Sequence, residues 1–94
     1  VLRHVLASGL ALGLGCGHAA TERECVEIFE RSAELELRAR SVTDPEEVRR
    51  RVAEARAARG DGLVKGCVGK RITDDALRCV RGAESPEALE GCLR

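Results

Sequence analysis

Phe29 is the single aromatic side chain in 94 residues, and Trp, Tyr and Met are absent, so any core must be assembled from Leu, Val, Ile, Ala and Cys. Such a core is thin. A chain of this length makes at most one domain, and burial alone at this size supplies only about 3–5 kcal/mol of net stability. A covalent staple is expected, and the five cysteines at 16, 25, 67, 79 and 92 are the material for it.

The apolar residues recur with a helical period. Cys25, Ile28, Phe29, Ser32, Leu35, Ala39 and Val42 step by three and four along one face, which predicts a first helix from Glu22 to about Arg40. Glu27 with Arg31, Glu34 with Arg38 and Glu36 with Arg40 stand four apart in the favourable order. Asp44-Pro45-Glu46-Glu47 reads as a helix start, because Asp44 can accept from free backbone N–H groups and Pro45 needs no donor at the first position. The second helix carries a narrow stripe of Val48, Val52 and Ala55, with Glu46–Arg50 and Glu47–Arg51 pairs outside. Gly60-Asp61-Gly62 is expected to stop it, with a further turn or two over Leu63–Cys67. Thr73 can cap a third helix facing inward through Ala76, Cys79, Val80 and Ala83. Ser85-Pro86 opens a fourth, with Ala88, Leu89, Cys92 and Leu93 on its apolar side. No alternating β pattern is present. The expected fold class is all-α, a small bundle of helical hairpins stapled by two disulfides.

Four cysteines downstream of residue 20 allow three pairings. If the third helix ends near Gly82 and the fourth starts at Pro86, Cys79 and Cys92 differ by about three residues from the bend, an offset of roughly 4.5 Å. A disulfide spans Cα separations of about 4.4–6.8 Å, so Cys79–Cys92 is favoured if the helices converge there, leaving Cys25–Cys67 to clip the first helix to the second hairpin. A structural zinc site brings ligands in close pairs, whereas these four stand at least twelve positions apart. The CxxC of haem attachment or thioredoxin-type chemistry is absent. No metal and no cofactor is expected.

Residues 1–15 have the layout of an export signal: Arg3 and His4, then the ten apolar residues Val5–Leu14, then a run of small residues. Ten residues reach about 15 Å as a helix, half the roughly 30 Å of a bilayer core, too short for a permanent span. Gly15-Cys16 resembles the lipobox of bacterial lipoproteins, in which a small residue precedes a cysteine that becomes the acylated first residue of the mature chain. Gly13 stands where the lipobox usually has leucine, with Leu12 and Leu14 to either side. The resemblance implies lipid on Cys16. The competing cut falls after Ala19, with Gly17 and Ala19 as its small residues, and either route leaves an even four cysteines. The expected divisions are a signal over 1–15, a flexible leader over 16–21 and one helical domain over 22–94. Through the signal and roughly residues 60–94, on the segment from Cys79 to Cys92, the chain resembles small alanine- and arginine-rich lipoproteins and secreted cysteine-containing helical proteins of myxobacterial type. That likeness implies no activity.

With Arg3 removed, charge comes in blocks: −5 over Thr21–Glu47, +6 over Val48–Gly82 and −2 over Ala83–Arg94. Opposite signs on successive segments suit helices that pack together, and a net of −1 does not call for nucleic acid. No catalytic residues are assigned: His18 is the sole histidine after the signal and lies too close to the terminus to be held by packing, and Glu46-Glu47 and Asp74-Asp75 read as caps. Arg49-Arg50-Arg51 reads as a solvated helix face. The expected role is therefore non-enzymatic: binding an envelope protein or serving as structure, in the periplasm or at the outer membrane through a lipid on Cys16, or secreted. Leu37 and Leu63, off the inward stripes, are the candidate contact residues. The alternative, a carrier of a small apolar ligand, requires a cavity lined by Leu35, Val52, Val80 and Leu89.

Overall fold

The computed structural model describes residues 17–94, so the expected signal over 1–15 and the lipid site Cys16 lie outside the described residues. The elements in order are β1 (His18–Ala19), α1 (Glu22–Ala39), α2 (Pro45–Ala55), a π-helical segment (Arg56–Gly60), α3 (Asp61–Cys67), β2 (Arg71–Ile72), α4 (Asp74–Gly82) and α5 (Pro86–Cys92). The all-α expectation holds. Both expected disulfides are formed: Cys25–Cys67 joins α1 to the end of α3, and Cys79–Cys92 joins α4 to α5, with Cα separations of 5.9 and 5.6 Å.

Capping side chains start the helices where the sequence marks them. Asp44 accepts from Glu47 N, Thr73 from Ala76 N and Ser85 from Ala88 N, at 3.0–3.1 Å. Thr21 adds a full capping box, its hydroxyl accepting from Glu24 N while Glu24 Oε1 accepts from Thr21 N. α1 ends in a Schellman motif, with Ser41 N donating to Arg38 O and Val42 N to Leu37 O. Ser41 takes φ 68° there, a conformation in which glycine is the usual residue.

The expected stop at Gly60-Asp61-Gly62 does not occur. Gly60 keeps right-handed helical dihedrals, so α2, the π segment and α3 follow without a break. The reason lies in Phe29, whose ring reaches the bare backbone: a Cβ on Gly60 would stand 3.2 Å from Phe29 Cε2 and from Arg56 Cδ. Glycine is used at this point for close approach, and packing of the sole aromatic offsets its cost of about 1 kcal/mol in a helix.

Two aliphatic clusters share Ile28. The first gathers Ala20, Cys25, Val64, Ile72 and Leu77. The second gathers Leu35, Val80, Ala83 and Leu89, with Cys92 at its edge. α1 is the axle of both, packing against α2, the π segment, α3, α4 and α5.

Several sequence expectations are corrected. Residues 18–20 are docked: His18 pairs with Ile72 and Ala19 with Arg71 in an antiparallel ladder, Ala20 N donates to Lys70 O at 2.7 Å, and Ala20 is buried. The two-residue ladder is too short to leave an alternating pattern in sequence. Leu37 is buried, because α2 returns along that flank and α1 buries a second strip through Ala33 and Leu37. Leu63 is exposed as expected, whereas Ala39 and Cys79, which the stripes place inward, are exposed too. Glu27 pairs with Arg81 at 2.6 Å instead of Arg31, and Arg31 turns to Glu34 and to Ala83 O, both at 2.7 Å, because the end of α4 offers these partners across α1. Glu46 pairs with Arg49 rather than Arg50, while Glu47–Arg51 forms at 3.3 Å as expected.

Candidate functional site

The α1–α2 hairpin leaves an open groove of about 840 Å³ along one side. Pro45, Val48, Val52 and Ala53 recur at i, i+3, i+7 and i+8 on α2 and supply one wall. Val26 supplies the apolar part of the α1 wall. Charged side chains of α1 rim it from Arg23 at one end to Arg38 at the other, a reach of about 22 Å at 1.5 Å per residue. Among the described residues the main packing of α2 is with α1 and the π segment.

The acidic groups of the rim are already engaged. Glu27 receives Arg81 Nε and Nη2 in a two-pronged contact, Glu34 receives Arg31 Nη1, and Glu30 faces Arg56 at 3.6 Å. The Arg81 hydrogen bonds hold the Glu27 carboxyl below its ordinary range, against an opposing effect of partial burial. Of the arginines, Arg49 is matched by Glu46, whereas Arg23 and Arg38 have no ion-pair partner among the described residues. Arg31 Nε is buried without a hydrogen-bond acceptor. The spare electrostatic capacity of the groove is therefore positive.

Beside the N-terminal end of α1, the segment from Gly17 is tightly constrained. Gly17 has φ 79°, and a Cβ there would stand 2.2 Å from Ile72 O. His18, expected to be loose, is held with Nε2 2.9 Å from Glu24 Oε2 and Nδ1 3.9 Å from Asp74 Oδ1. Hydrogen bonds from Thr21 N first, then from His18, lower the Glu24 pKa. The neighbouring hydroxyls of Thr21 and Thr73 accept from Glu24 N and Ala76 N as helix caps.

Of the residues singled out in sequence, the four disulfide cysteines are brought together in their expected pairs. Leu35, Val80 and Leu89 fill one another's space in the second cluster, while Val52 lies on the groove, so the four do not line a common cavity. Among the described residues no group of three or more His, Cys, Asp or Glu is placed to hold a metal ion. No described helix is long and apolar enough to cross a membrane. Sequence reasoning missed the groove and the docked start of the domain. The first had a signal in Pro45, Val48, Val52 and Ala53, a stripe wider than α1 covers; the second had one in Thr21-x-x-Glu24.

Fold and site define a class: a small all-α domain of helical hairpins held by two disulfides, with an open two-helix groove along its first hairpin. The chain matches no family model, no curated protein and no solved structure.

Proposed function

We propose that the chain is an exported, non-catalytic binding domain of the cell envelope, held to a membrane by lipid on Cys16. The observation that carries the reading is that the residues directly after Cys16 are packed into the fold. Gly17 and His18–Ala20 are integral to it, through the ladder to β2, the His18–Glu24 contact and burial of Ala20. Cleavage before Cys16 leaves all of this intact. Cleavage after Ala19 would delete β1 and place a new α-ammonium on Ala20, whose N–H is committed to Lys70 O and whose surroundings are apolar. The cysteine parity fits either cut, since the other four are paired and Cys16 is left over. Two disulfides suit an oxidising compartment.

Binding is supported by the groove. The test is intact-mass spectrometry of the protein from its native envelope, with and without reduction. A chain beginning at an acylated Cys16 that gains four hydrogens on reduction is the expected result. A chain beginning at Ala20, or one retaining residues 1–15, refutes the anchor.

A further inference from the structure

We infer that the α1–α2 groove is the docking site for one amphipathic helix of a partner protein, apolar on its inner face and acidic along its edges. The inference rests on the protein-binding reading above and names the partner's chemistry. α2 offers Pro45, Val52 and Ala53 at helical spacing around the already buried Val48, and among the described residues α1 is the helix packed beside them. A third helix laid in the trough completes a three-helix arrangement and covers those side chains; this is the helix-in-groove mode, read out by apolar residues at i, i+3, i+4 and i+7.

The charge of the occupant follows from what the rim has left to offer. Glu27, Glu30 and Glu34 are neutralised internally by Arg81, Arg56 and Arg31. Arg23 and Arg38 are exposed and unpaired among the described residues, one near each end of α1. A basic helix would meet two uncompensated guanidinium groups and no free carboxylate, whereas an acidic one finds a partner at each end. About 15 residues of helix span the distance. The concave floor favours a helix over a bilayer, which would touch only the rim.

The probe is a synthetic helical peptide of about 18 residues with leucine at i, i+3, i+4 and i+7 and glutamate on the flanks. Controls replace every glutamate by lysine, or shuffle the leucines around the helix. A dansyl group on the peptide provides the fluorescent reporter and leaves the groove of the oxidised, exported protein unaltered. Saturable binding of the glutamate peptide with a blue shift is expected. The lysine and shuffled peptides should bind at least about tenfold more weakly. The Arg23→Glu/Arg38→Glu double variant, with unchanged circular dichroism and melting temperature, should reverse the preference between glutamate and lysine peptides. Equal binding of the shuffled peptide, an unchanged preference in the double variant, or no saturable binding overturns the inference. So does binding of phosphatidylglycerol vesicles through the same arginines in place of the peptide.

Photo-crosslinkers at Ala53 and at Gly91, an exposed site on α5, separate this failure from failure of the parent reading. Protein adducts in the envelope at Gly91 alone overturn the groove and leave protein binding standing. Adducts at neither position overturn both. Adducts at Ala53 that the glutamate peptide competes away support the groove, and adducts there that persist in its presence overturn it.

Discussion

Replacing both members of a disulfide by alanine gives the most quantitative test of the stapled-core argument. The bridges close loops with sequence separations of 42 for Cys25–Cys67 and 13 for Cys79–Cys92. On the loop-entropy relation these remove about 4 and about 3 kcal/mol, respectively, from the stability of the unfolded ensemble. At about 4–8 °C per kcal/mol for a domain of this size, Cys79→Ala/Cys92→Ala should melt at least 12 °C lower, and Cys25→Ala/Cys67→Ala lower still. The buried member widens the gap: Cys25 is 2% exposed within the first cluster, whereas Cys79 is at the surface. Thermal denaturation followed by circular dichroism at matched pH and ionic strength reads the difference. Shifts of only a degree or two, or a larger loss from the shorter loop, would refute the claim that covalent closure compensates for a core with one aromatic ring.

Gly17→Ala should loosen the start of the domain. The positive φ alone costs about 1–2 kcal/mol and the contact with Ile72 O adds to it, so hydrogen exchange at the Ala20 and Gly69 amides should accelerate while the Leu35 region is unaffected. Ser41→Gly should raise the melting temperature by several degrees, by relieving about 1 kcal/mol of left-handed strain in the Schellman turn. Acid should weaken the α1–α4 contact: the Glu27 carboxyl is depressed below its ordinary 4.5, so its stabilisation is complete above that pH and is lost as pH falls through the lower folded value. The fall in melting temperature between neutral pH and pH 3 should therefore be smaller in Glu27→Gln than in the parent. Mild reductant should open Cys79–Cys92 before Cys25–Cys67, measured by trapping free thiols over time, because access limits exchange.

Helices and staples were legible in the sequence because they are written locally. Asp44, Thr73 and Ser85 cap where a short polar residue precedes an apolar period, and the Cys79–Cys92 pairing follows from counting residues on either side of one bend. Errors arose where a residue's role is set by something distant. Gly60 looks like a stop until Phe29 is placed over it, thirty-one positions earlier in the chain. Leu37 lies off the main stripe and is buried because α2 returns on a second flank of α1. His18 belongs to a leader by composition and to the fold through Ile72, Glu24 and Asp74. The groove was partly visible in the α2 stripe, but its openness depends on α4 and α5 choosing α1.

Both cross-links join neighbours in cysteine order, Cys25 with Cys67 and Cys79 with Cys92. For a chain threaded into an oxidising compartment from its N-terminus, this order has a kinetic meaning. After Cys25 has emerged, the next thiol to follow is its native partner, and the same holds for Cys79. An oxidase acting on thiols in order of arrival thus makes the native bonds first, with no reshuffling by an isomerase. The exception is an unblocked Cys16, which precedes Cys25 by nine positions and would compete for it. Masking that sulfur with lipid would anchor the domain and also keep its assembly line in order.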